Sequence, residues 1–180
     1  MNELEFARQI KDNFSELGEY LKEQLTEELI QQGHKYTGAL IKSIDYAVEL
    51  YQKELVLSLS YYQYGAYLNK GVKANKVPFG KGNSSSKQSE YLRALTDWVI
   101  GKRIETRAKQ AFGVAIAIAK THAKKGIPTV GSFKYSLNGR RLGFQDYILS
   151  TKEREINEII QSGLERSVFT TLDNILKQAA

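Results

Sequence analysis

Few residues in this 180-residue chain have the types and spacing that bond-making chemistry needs. There are two histidines, His34 and His122, and neither has a carboxylate or a second histidine at a metal-ligand interval. Cysteine is absent, which removes disulfides, thiolate metal sites and a thiol nucleophile. Serines and threonines are many, yet none stands beside a base that would activate it. No GxSxG, HExxH, Walker A or dinucleotide fingerprint occurs. Gly80-Lys81-Gly82 lacks the GxxxxGK[ST] spacing, and no buried strand leads into it. The glutamates of the first helical stretch recur as surface charges rather than as an isolated acid–base pair. This reading gives no enzyme, no cofactor and no metal.

The chemistry that remains is that of charged surfaces. The net charge of +6 is unevenly spread. Residues 1–60 hold six Lys/Arg and eleven Asp/Glu, whereas residues 101–141 hold ten and one. The last 39 residues are again acidic, with four Lys/Arg and six Asp/Glu. Within the basic middle, Lys120, Lys124 and Lys125 stand near a helix end, and Lys134, Arg140 and Arg141 cluster around Asn138-Gly139. Such a block suits a polyanion, a plain solvated face or the acidic end of a second copy. For the three lysines there is a plainer role, since cations suit the C-terminus of a helix.

These groups need elements to hold them. Ala7, Ile10, Phe14, Leu17, Leu21, Leu25 and Leu29 recur at steps of three and four, predicting a helix over 3–32 that stops at Gly33. Thr37 is placed to cap a short helix carrying Leu40, Ile41 and Ile44. Two alternating runs follow, Tyr46-Val48-Leu50 and Leu55-Leu57-Leu59, the mark of half-buried strands with Gln52-Lys53 as their turn. Tyr61, Tyr62, Tyr64 and Tyr67 fit helical and strand spacing alike.

Residues 72–90 read as an irregular loop rich in Gly, Ser and Lys. Helices are expected over 89–103, 105–125 and 151–177, the last with Ile156, Ile159, Ile160, Leu164, Val168, Leu172 and Ile175 as its apolar positions. The AFGVAIAIA run of the middle one suggests burial on nearly all sides. That run, Ala111 to Ala119, is the longest apolar one and is too short to span a bilayer. The N-terminus is charged and amphipathic, unlike a signal peptide, so a soluble, non-secreted protein is expected. Asn138-Gly139 between SFKYSL and RRLGF predicts a protruding basic hairpin over 129–146. The expected fold is a single α+β domain over 1–180: a long N-terminal helix and further helices packed on a small antiparallel sheet.

The order of these signals resembles the tail-completion and head–tail connector (neck) proteins of long-tailed bacteriophages. The resemblance rests on TG-x-L-x-x-S-I, at Thr37, Gly38, Leu40, Ser43 and Ile44, and on Y-x-x-Y-x-x-x-G, at Tyr64, Tyr67 and Gly71. It covers residues 5–71 and, more loosely, 85–150, where AFGVAIAIAKTHAKKGIP looks like the later helix of such proteins. The chain departs from the pattern at Val72-Lys73, in its longer 72–90 loop and in the basic segment around Asn138-Gly139. The resemblance implies a structural virion protein, assembled in host cytoplasm into a ring of its own copies. That ring would join portal-side neck proteins to tail-tube proteins, with transient contact to genomic DNA and no membrane. The contact residues would be Lys120, Lys124, Lys125, Lys134, Arg140 and Arg141. The alternative from the residues alone is a sequence-independent DNA-binding protein using 101–141.

Overall fold

The computed structural model describes residues 3–51, 54–79 and 89–179. In chain order the regular elements are α1 (Glu3–Gln31), α2 (Ala39–Ser43), β1 (Asp45–Tyr51), β2 (Glu54–Ser60), α3 (Tyr64–Lys70), α4 (Glu90–Gly101), α5 (Ala108–Lys125), α6 (Phe144–Thr151) and α7 (Glu153–Ala179). Short 3₁₀ segments lie at Ala74–Lys76 and Val130–Tyr135. The class is α+β and mostly helical, as expected. Where a single domain was expected, the chain divides into two compact units. Unit 1 is Met1–Gly65 with Gly143–Ala180, and unit 2 is the inserted stretch Ala66–Leu142.

Unit 1 is built on α1. Leu17, Leu21, Leu25 and Leu29 are all buried, so the stripe read from the sequence is the core face. The helix ends in a Schellman motif: His34 N–H donates to Leu29 C=O at 2.8 Å and Gly33 N–H to Ile30 C=O at 2.9 Å. One face of the β1–β2 hairpin packs on α1. The strands are antiparallel, with Val48 opposite Leu57 and Tyr46 opposite Leu59. The Tyr46 ring lies so close over Gly18 that no Cβ fits there. The other face carries the exposed Asp45, Glu49 and Glu54. A lone two-stranded sheet is marginal in water, so α1 is what stabilises this one. The Gln52-Lys53 turn lies outside the described residues.

In unit 2, α4 packs on α5. Ser89 caps α4, its Oγ accepting from Leu92 N–H at 3.3 Å. Ala111, Ala115 and Ala119 recur at i, i+4, i+8 and are fully buried, which lets the helices approach closely. The AFGVAIAIA run is buried on that one side only, because Gly113 and Ala117 are exposed. Val72 and Ile127 exchange two backbone hydrogen bonds of 2.8 Å as an antiparallel bridge. Part of the expected 72–90 loop is therefore ordered: it holds this bridge, the 3₁₀ turn and the buried Val77. Residues 80–88, with Gly80-Lys81-Gly82, lie outside the described residues.

The hairpin expected over 129–146 does not form. Val130–Tyr135 is a 3₁₀ helix, residues 136–139 bend, and α6 begins at Phe144. The turn chemistry is real but closed locally. Asn138 Oδ1 accepts from Arg140 N–H at 3.1 Å, an Asx turn that needs no partner strand. On the far side, Gly143 takes a left-handed φ of 69° and Phe144 enters the core of unit 1 as the first residue of α6. The apolar residue that would have ended a strand instead starts a helix.

Candidate interaction surfaces

Unit 2 carries sixteen Lys/Arg and three Asp/Glu, and unit 1 carries ten and seventeen. The three carboxylates Glu90, Asp97 and Glu105 cannot neutralise sixteen cations, so unit 2 presents a basic surface whatever its pairing. On α5, at roughly 100° per residue, Lys109, Lys120 and Lys124 fall on one side with Gly113 and Ala117 between them. All five are exposed. Lys125 is also exposed and leaves the helix further round, near its C-terminus, where its charge suits the dipole.

The second predicted trio does not stay together. Lys134 is exposed, with its ammonium 5.0 Å above the Tyr135 ring, a cation–π contact. Arg140 and Arg141 are half-buried rather than at an exposed tip. Burial pushes the Arg141 guanidinium below its ordinary pKa. A half-buried guanidinium is a packing residue as much as a contact residue, so Lys134 keeps the predicted exposure and the two arginines lose it.

Beside the lysine face runs a shallow groove of about 270 Å³, lined by Val114, Ala117, Ile118, Thr121, His122 and Thr129. Tyr91 and His122 meet beside this groove. Burial pushes the Tyr91 hydroxyl up to about 12 and holds the His122 imidazole below its ordinary value. The hydroxyl and His122 Nδ1 lie 2.6 Å apart, a hydrogen bond whose donor follows the imidazole tautomer.

Folding thus disfavours imidazolium. The His122 contribution to stability is complete above the unfolded-state pKa of about 6.5 and is lost progressively as pH falls from there through the depressed folded-state value. The thermal midpoint should drop on acidification from about pH 7.5 to 5.5, with a shallower drop in His122→Gln. Parallel profiles for the two proteins would show that His122 contributes nothing.

Unit 1 holds three of the five signature residues, Thr37, Gly38 and Tyr64. Thr37 Oγ1 accepts from Ala39 N–H at 3.2 Å, one residue short of the cap position, and Gly38 is the N-cap itself with φ 69°. Of the tyrosines, Tyr61 is half-buried against Phe144, while Tyr62 and Tyr64 are exposed, their rings 6.1 Å apart. The cluster resolves as helix, since Tyr64 opens α3. Tyr67 (also exposed) and Gly71 belong to unit 2, and Gly71 ends α3 with φ 72°.

The larger finding in unit 1 is the orientation of α7. It meets α1 through small and polar residues: Gly163 against Asn13, and Ser167, only 2% exposed, in a hydrogen-bonded cluster. Asn13 Nδ2 donates to Gly163 C=O at 2.7 Å and to Ser167 Oγ at 2.8 Å. The large residues point the other way. Leu164, Val168, Leu172 and Leu176 form an i, i+4 ladder with Phe169 beside it, and Phe169 is 69% exposed. At roughly 100° per residue these five cover an arc of about 140°.

Sequence reasoning placed Leu164, Val168 and Leu172 in an apolar stripe without seeing that it faces outward, and it left out Phe169 and Leu176. In unit 2 it missed Val130, Phe133, Tyr135 and Leu137, all exposed, with Val130 at 84%. The available signal was Gly163 and Ser167 at i, i+4, a small-residue seam that marks the packed side of α7.

Among the described residues, no group of three or more acidic or histidine side chains could hold a metal ion, and no helix is long and apolar enough to cross a membrane. No protein-family model, curated protein or solved structure matches this chain.

Proposed function

We propose that this chain is a structural assembly subunit: a tail-completion or neck protein of a long-tailed bacteriophage whose copies form a ring between portal-side and tail-side proteins. The observation that carries the assembly reading is the division of surface between the two units. One is acidic with a large exposed apolar helix face, and the other is basic with its own exposed apolar residues. A chain with two unlike, complementary faces can join head to tail, and such a contact closes a ring when the rotation allows. The phage assignment draws its support from the resemblance of Thr37-Gly38, Tyr64, Tyr67 and Gly71 to the neck-protein pattern. In this reading Lys120, Lys124, Lys125 and Lys134 serve protein contacts, since a channel that passes DNA must not grip phosphates.

The excess of cations in unit 2 favours one other reading, a sequence-independent DNA-binding protein. The two separate on salt dependence. Neutralising phosphates releases counterions, so affinity would fall steeply with salt, by a log–log slope near ~0.9 per phosphate. Light scattering of the purified chain, with and without duplex DNA at low and moderate salt, is expected to give the same mass in all cases, monomer or discrete ring. A tight, salt-sensitive rise in mass on adding DNA would overturn the assembly reading.

A further inference from the structure

We propose that the outer face of α7 docks on the α5 groove and the Val130–Leu137 segment of a second copy of this chain. The inference deepens the assembly reading and rests on it, naming the two faces that meet. Leu164, Val168, Phe169, Leu172 and Leu176 are each between 44% and 69% exposed. From Gly163 onward α7 packs small residues inward and leaves these five outward, and contiguous exposed apolar surface of this kind marks interaction sites. An amphipathic helix lying in a shallow apolar groove is a common mode of recognition, read as anchors at i, i+4 and i+8.

Charge selects the occupant. If α7 met the α7 of another copy, two units with seventeen acidic and ten basic residues each would face one another. If two groove faces met, two units with sixteen basic and three acidic residues would do so. Only the unlike pairing sets acid against base, and like-charge juxtaposition penalises the others. The groove supplies apolar lining in Val114, Ala117 and Ile118, and Lys120 and Lys124 lie alongside. Thr129 lines the groove and leads into the exposed Val130, Phe133, Tyr135 and Leu137, which extend the apolar surface along the chain. Charge steers this encounter, and the apolar faces supply its stability.

The absence of native cysteine permits a clean test. Two full-length variants, Leu172→Cys and a size-tagged Thr121→Cys, are mixed and treated with a short bismaleimide. The main product is expected to contain one chain of each kind, and it is expected to be lost when Leu176→Glu is added to the Leu172→Cys chain. A main product of two Leu172→Cys chains would overturn the proposal in favour of paired α7 helices. Discrete assemblies by light scattering with no mixed adduct would overturn it and leave the assembly reading standing. A monomeric mass at every concentration, with no mixed adduct, would likewise overturn it, whereas the assembly reading falls separately, on a salt-sensitive rise in mass with DNA.

Discussion

Phe144→Ala is expected to lower the stability of unit 1 by about 4 kcal/mol, read as a fall in the urea midpoint without a change of slope. Phe144 is fully buried. Its ring meets the Tyr61 ring edge-on, with centroids 5.7 Å apart and planes at 64°, an arrangement that contributes beyond area alone. Tyr61 is held in turn by its hydroxyl, which donates to Gln145 Oε1 at 2.9 Å. Truncation therefore removes a whole buried ring, leaves a cavity and frees Tyr61. It does so at the first residue of α6, where the chain re-enters unit 1. Phe144→Leu keeps most of the volume and should cost about 1.5 kcal/mol or less. A loss under about 1 kcal/mol for the alanine variant would mean that this residue is not the anchor described.

Periodicity shows which side of a helix is apolar, and it does not show what that side faces. In α1 the two questions have one answer, because Leu17, Leu21, Leu25 and Leu29 are both the apolar side and the core. In α7 they diverge. Gly163 and Ser167 let α1 come close enough for Asn13 to bond across the seam, so small residues occupy the packed side and Leu164, Val168 and Leu172 turn outward. The Asn138-Gly139 turn was legible, yet its bonds close on themselves through the Asx turn and leave no ladder to extend. The basic surface was legible from counts alone. Its limits were not, because the unit boundary at Gly65–Ala66 falls inside α3 and carries no linker composition. Arg140 and Arg141 were misplaced for the same reason as the hairpin: a local turn signal says nothing about burial.

The division of charge between the units bears on how an assembly would form. Exposed ion pairs contribute little each, so the excess of acid on one unit and base on the other chiefly raises encounter rates and orients the approach. Lasting association would then depend on apolar residues such as Phe169, Leu172 and Leu176. This splits the expected effects of mutation: lysine changes on α5 act on rate and salt dependence, and α7 changes act on residence time.

Two glycines of α5 provide the second large prediction, with opposite signs in one helix. Gly126 caps α5 with φ 81° and ψ −173°, a region that essentially only glycine occupies. A Cβ there would stand 2.6 Å from Val72 O and 3.3 Å from Ala74 N. Both are backbone atoms, and Val72 is the residue bridged to Ile127, so no flexible side chain can move aside. Gly126→Ala must either strain this joint or open the Val72–Ile127 bridge, at a cost of about 3 kcal/mol or more. Gly113 lies in the interior of the same helix, exposed, with nothing within 4 Å of a Cβ. Gly113→Ala should stabilise by roughly 0.5–1 kcal/mol, through helix propensity and a less flexible unfolded chain. Urea melts of the two variants beside the parent chain decide the matter. Equal and small shifts would mean that the Val72–Ile127 joint does not hold α5 in place. A large loss at Gly126 with a gain at Gly113 would show that unit 2 depends on one backbone crossing and that the Gly113 side of α5 is open.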